Sequence, residues 1–241
     1  MANRKASFNA IAALITGLTD DEQLALVDKA SEFKKFVADL VRTVVENTFF
    51  THVDDKDAPA HLVGAVAKWR KLASDLGYTG PVLWAVKAGF SLKSHAPLAG
   101  PCYEKFGYLQ DWKLRNDEPT VDCMVFFIPR IVATKKNVEE QTLALAELRK
   151  EYGLPEHHCT SFGSAALVSG LILAHFKRTG ERTPLNADWV RTDTLDSDGN
   201  RLELGDFDES GLYCDDSWGG HRNDIRADGL GVFPLGVEMG S

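Results

Sequence analysis

The 241-residue sequence lacks most of the features that assign a protein quickly. No apolar run reaches the roughly 20 residues a membrane helix needs, which argues against insertion into a bilayer. Residues 1–7 lack the apolar core of a secretory signal, so a cytoplasmic setting is expected. The four cysteines, Cys102, Cys123, Cys159 and Cys214, include no C-x-x-C pair. Neither a zinc knuckle nor a redox pair is therefore indicated, and reduced thiols are expected. A nucleophile elbow of the Gly-x-Ser-x-Gly type, a P-loop and a dinucleotide fingerprint are all missing. So is any excess of positive charge: the formal net charge of −8 argues against a nucleic-acid partner held through phosphates.

What is present is the balance of an ordinary globule, 44% hydrophobic and 26% charged, with length for one large domain or a domain with an appendage. The charge is uneven. From Asn186 onward thirteen acidic residues face four arginines, a net −9, and no lysine follows Lys177. Such a shift points to a separate task for the C-terminal portion.

Periodicity predicts an α+β organisation. Thr19 and Glu22 have capping-box spacing, and Leu26, Ala30, Phe33, Val37, Leu40 and Val44 form a heptad-like stripe. A helix over 20–47 either packs on its own domain or serves self-association into a homo-oligomer. Residues 49–59 read as a linker, which divides the chain into a helical segment over 1–58 and a domain over 59–241. Leu62, Val66, Trp69, Leu72 and Leu76 mark an amphipathic helix with Gly77 as its stop. Residues 81–92, 123–132, 189–195 and 230–237 read as strands, and 201–207 alternates polar with apolar. A helix opened by Asn137 and Glu140 and closed by Gly153 precedes a nearly all-apolar, buried helix over 161–176.

Three places carry candidate chemistry. Glu156-His157-His158-Cys159 resembles a ligand set, but adjacent histidines on an extended chain point to opposite sides, so a structural role is favoured and no metal is assigned. A metal-dependent hydrolase using His157, Cys159 and nearby carboxylates is the competing enzymatic reading. Asp196, Asp198 and Asn200 supply oxygen ligands suited to Ca²⁺, although a turn built on Gly199 needs no ion. The third place is the polar stretch over 211–229, flanked closely by strand-like segments. Its tyrosine, tryptophan, arginine, glycine and aspartates resemble the composition of a paratope.

The order of features here is distinctive: Arg201-Leu-x-Leu-Gly-Asp-Phe207, a polar loop with Trp218 and Arg222, then Leu230-Gly-Val-Phe233. It resembles the end of C-type-lectin-like domains, in the branch of the formylglycine-generating enzyme. That branch closes on a Gly-Phe-Arg-type strand, where this chain has Val232-Phe233-Pro234. The catalytic-cysteine pattern of that branch has no counterpart around Cys214, so no catalytic residue is assigned.

The whole chain is similar to target proteins of diversity-generating retroelements. The carrying phrases are GPCYEKFGYLQDW, HHCTSFGSAALVSGLILAHFKRTGERTPL and LGVFPLGVE. In such systems adenines of a template are randomised and copied into the 3′ end of the gene. Randomising an Asn codon at its adenines never yields Lys, Glu, Gln, Met or Trp, and between Tyr213 and Asp228 only Trp218 belongs to that set.

The resemblance implies an N-terminal helical segment followed by a C-type-lectin-like domain of small twisted antiparallel sheets, with a variable region over about 212–230. Tyr213, Asp215, Asp216, Ser217, Gly219, Gly220, His221, Asn223, Asp224, Arg226 and Asp228 would contact the ligand. Trp218, Arg222, Leu230, Gly231 and Phe233 would form the fixed scaffold. The partner would be a protein or other surface epitope, without a cofactor.

Overall fold

The computed structural model describes residues 49–182, 184–216 and 224–239. The heptad-bearing stretch over 20–47 lies outside them. Two four-stranded sheets organise the rest of this α+β protein. Sheet 1 joins β1 (Phe50–Val53), β2 (Leu83–Val86), β3 (Cys123–Phe127) and β8 (Leu235–Met239), all antiparallel. Sheet 2 has the spatial order β6 (Gly211–Asp215), β5 (Arg201–Asp208), β4 (Trp189–Leu195) and β7 (Leu230–Gly231). Its last pair is parallel, Trp189 beside Leu230, so this sheet is mixed rather than antiparallel throughout.

Helices form where the capping chemistry is complete. α1 (Val63–Asp75) buries Val66, Trp69, Leu72 and Ala73 on one face and ends at Gly77, whose φ of +68° only glycine adopts cheaply. A short α2 (Ala96–Ala99) and a 3-10 segment (Tyr103–Asp111) occupy the long irregular stretch. α3 (Val138–Tyr152) opens with a full capping box: Asn137 accepts from the Glu140 amide, and Glu140 accepts from the Asn137 amide. α4 (Ala165–Thr179) is capped by Ser164 and is buried almost all round.

One core lies between sheet 1 and helices α1 and α3. Trp69 stacks on Phe126 at 5.4 Å, with Leu72, Leu83, Ile128 and Leu145 around them. The opposite face of β3, Val125 and Phe127, is equally buried, and Phe127 meets Phe233 edge to face. α4 packs against β1 and against sheet 2. Its Gly170 leaves the space that the Phe50 ring fills.

Two segments differ from the sequence reading. Residues 49–59 are no plain linker: Phe50–Val53 pairs with β2 in full register and forms the edge of sheet 1. Residues 230–237 are not one strand. Pro234, which has no N–H to donate to a ladder, marks the crossing from β7 in sheet 2 to β8 in sheet 1. The strand-like runs over 81–92 and 123–132 contain shorter strands than their composition suggests.

Glycine substitutions test this packing. Gly170→Ala should push Phe50 out of place and destabilise by about 1–3 kcal/mol, the usual cost of overpacking. Gly64→Ala, with open space around it in α1, should stabilise by about 0.5–1 kcal/mol through helix propensity. Urea denaturation of the two variants should therefore move in opposite directions.

Candidate functional site

The C-terminal face is built on sheet 2. β4 and β5 form a hairpin closed by Asp196, whose carboxylate accepts from the amides of Asp198 and Asn200 at 2.8 Å and from Asn200 Nδ2 at 2.9 Å. Gly199, at φ +89°, completes the turn. Both Asp196 oxygens are thus occupied by the turn itself. That is the arrangement of an aspartate that closes a backbone turn.

From this hairpin the chain continues through β6 into the polar segment and returns through 224–229 to β7. Tyr213, Asp215 and Asp216 are half-buried at the end of β6, and Asp224, Arg226 and Asp228 are exposed on the return arm. Leu230, Gly231 and Phe233 are buried. Ser217, Trp218, Gly219, Gly220, His221, Arg222 and Asn223 lie outside the described residues. Exposure along 224–228 alternates, with Ile225 and Ala227 half-buried between the three exposed polar positions.

The return arm is fastened to the body. Arg226 makes a two-pronged contact with Glu140, each arm 2.7 Å, so Glu140 serves both the α3 cap and this arm. The Arg226 guanidinium holds the Glu140 carboxyl down at about 2. Lys135 reaches Asp228 at 3.3 Å, its amide donates to the Ala227 carbonyl, and the Trp189 amide donates to Gly229. Arg226, expected as a ligand contact, is already committed within the chain.

Beneath the arm lies Arg191, 1% exposed. It donates to the carbonyls of Lys136 (3.1 Å) and Ile225 (2.9 Å) and to Gln141 Oε1 (3.0 Å), and it sits 3.4 Å from the Glu203 carboxylate across the β4–β5 pair. Burial pushes the Glu203 carboxyl up to about 7, against the opposing pull of Arg191. One guanidinium thus joins α3, the loop before it, the return arm and the hairpin. Neither Arg191 nor Glu203 stood out in the sequence. The available signal was their opposite charges at positions that become cross-strand partners.

A second candidate is the histidine pair. Residues 156–160 form a turn rather than an extended run, with Cys159 at φ +51°. His157 and His158 therefore do not diverge; both meet Glu238 on β8, His157 Nε2 at 3.1 Å and His158 Nε2 at 3.0 Å. Their ligand atoms lie within 4.8 Å of one another, close enough in distance for a metal.

The hydrogen bonding of His158 weighs against one at its Nε2. Trp69 Nε1–H donates to His158 Nδ1 at 3.0 Å, and an indole nitrogen can only donate. Nδ1 must then offer its lone pair, so neutral His158 carries its proton on Nε2 and donates to Glu238. A metal at Nε2 would need that lone pair and would normally require the other nitrogen to face an acceptor. Burial, followed by the neighbouring His157, pulls His158 down to about 4, so it stays neutral. Cys159 is buried, and burial pushes its thiol up to about 12, which disfavours a thiolate ligand or nucleophile. The trio is a clamp that ties α1, the 156–160 turn and β8 together. Its ring lies so close to β8 that a Cβ on Gly236 would come within 2.6 Å of it. Trp69 and Glu238, 89 and 80 residues away from His158, could not be joined to it by spacing.

All four cysteines are free and buried. No described helix is long and apolar enough to cross a membrane. No family model, curated protein or solved structure matches the chain.

Two outcomes are expected. Arg191→Met removes the guanidinium beside buried Glu203 and the donors to three other acceptors and should cost about 3–5 kcal/mol in urea denaturation, part of which Arg191→Met with Glu203→Met should recover. For the clamp, the folded state lowers the His158 pKa, so the unfolded chain binds more protons. Stability from this source is full above about 6.5 and is lost as pH falls towards about 4. His158→Gln should flatten the stability curve over that window, and zinc should leave the midpoint of the wild-type protein unchanged.

Proposed function

We propose that this chain is a ligand-recognition protein whose C-terminal face is diversified by a retroelement, carried on a C-type-lectin-like domain. The observation that supports it most is the division of labour along 213–235. Every described polar position of the segment is half-buried or exposed, while Leu230, Gly231 and Phe233 beside it are buried. Buried Arg191 and capped Glu140 hold the return arm in place without using any exposed side chain except Arg226. A surface so supported can exchange its outward residues at little cost, because substitutions away from buried features usually change stability by about 0.5 kcal/mol or less.

The hydrolase reading through His157, Cys159 and nearby carboxylates is the less favoured one, because burial holds the Cys159 thiol well above its usual range. The partner on this reading is a protein or other surface epitope. The net −9 after Asn186 disfavours nucleic acid.

The deciding test is the neighbourhood of the gene. A reverse transcriptase and a near-copy of the 3′ end should lie beside it, with differences confined to template adenines. A copy whose differences ignore adenine, or no copy and no reverse transcriptase, refutes the retroelement part. A display library randomised at Tyr213, Asp215, Asp216, Ser217, His221 and Asn223 tests recognition itself. Most members should fold, and selection against protein targets should yield binders.

A further inference from the structure

Beside the end of β6 lies a group of half-buried rings that the recognition reading has not used. The 3-10 segment begins with a left-handed turn: Glu104, Lys105 and Phe106 have φ of 44°, 54° and 55°. Three such residues in succession are costly for side-chain-bearing residues, and strain of this kind collects at functional positions. The turn is held by buried Phe106, by the Lys105 amide on the Cys102 carbonyl, and by the close approach of Gly211, whose absent Cβ would lie 2.7 Å from the Cys102 carbonyl carbon.

It gathers rings that are apart in sequence. Tyr103 lies 4.7 Å from Tyr213, Tyr108 stacks on Tyr213 at 5.5 Å, and Trp112 meets Tyr108 at 5.9 Å. Tyr108 is fixed at its far end, because its hydroxyl donates to the Cys214 carbonyl and accepts from the Cys214 amide. All four rings are half-buried, so each keeps some surface open. Burial pushes the Tyr213 phenol up from its usual range, and Asp215, then Tyr103 and Glu104, push it the same way. Lys105 is exposed, and the nearby Lys93 ammonium donates to the Trp112 backbone carbonyl at 2.6 Å.

Rigid π faces beside carboxylates are complementary to a cation, and to a planar one above all. We propose that Tyr103, Tyr108, Trp112 and Tyr213, with Glu104 and Asp215, bind the guanidinium of an arginine presented by a protein partner. Guanidinium stacks on aromatic faces and forks onto carboxylates, which an ammonium does less well. The proposal rests on the reading of the C-terminal face as a recognition surface and names the chemistry of the group it takes. Three of the four rings lie outside the 213–228 segment. Tyr103, Tyr108, Trp112 and Glu104 would therefore be constant, while variation at Tyr213 and Asp215 would tune the arginine preference.

The test is a titration of the full chain with N-acetylargininamide, followed by the ring resonances of the tyrosines and Trp112. Its neutral isostere N-acetylcitrullinamide serves as control, and a methyl glucoside tests for sugar. Arginine should shift the four rings saturably and citrulline should not. Glu104→Gln with Asp215→Asn, a pair that keeps every ring, should weaken arginine binding about fivefold. Tyr213→Leu should weaken it as well.

Equal shifts from citrulline, no saturable shift, or full affinity in the charge-neutral pair would overturn the proposal. A sugar that shifts the same rings while arginine does not would overturn it too. If arginine fails while the loop library still yields binders, the recognition reading stands and this inference falls. If arginine binds and the library yields nothing, the ring site for arginine stands and the diversified-loop part of the recognition reading falls.

Discussion

The buried guanidinium of Arg191 is the constraint on which the C-terminal half depends. A charge that is 1% exposed is tolerable only if its donors are met, and Arg191 meets them with two carbonyls, an amide oxygen and a carboxylate. Those acceptors come from three separate stretches of chain, 136–141, 203 and 225. Each therefore has to be in place for the others to be tolerated. Part of the hold on the return arm passes through a backbone carbonyl, that of Ile225, which no side-chain variation alters; the Arg226–Glu140 and Lys135–Asp228 pairs add to it through side chains.

The clamp at His158 plays the corresponding part for sheet 1. Trp69 donates to one nitrogen of His158, the other nitrogen meets Glu238, and the ring rests against Gly236. A cluster whose residue types match a metal centre also holds the structure together, and the hydrogen bond from Trp69 favours that part for His158. Distance alone would have left that choice open, since the three ligand atoms lie close enough to share an ion.

Much of the fold was legible because its signals are local. The capping box at Asn137 and Glu140, the glycine stops at 77 and 153, and the apolar stripe of α1 each depend on residues within one or two turns. The β4–β5 hairpin declared itself through the Asp196–Asn200 turn. What escaped depends on distant partners. Phe50–Val53 becomes a strand only because β2 lies beside it, and Gly170 gives Phe50 its room. The run after Leu230 reads as one strand, yet its halves pair with different sheets on either side of Pro234. The outward polar positions of the candidate site were visible as composition. Its supports, Arg191 and Glu203, were not, because charged residues inside an apolar strand make sense only once their cross-strand pairing is known.

The central claim is that the polar segment is carried by a scaffold that does not depend on it. Backbone hydrogen exchange measures this most directly, by comparing the wild-type chain with one in which residues 215–217 and 219–224 are all replaced by other polar residues. The account predicts unchanged protection of β4, β5 and β8, with differences confined to the replaced segment. Loss of protection in β4 or β5 would mean that the segment is part of the structure's support, and would contradict it.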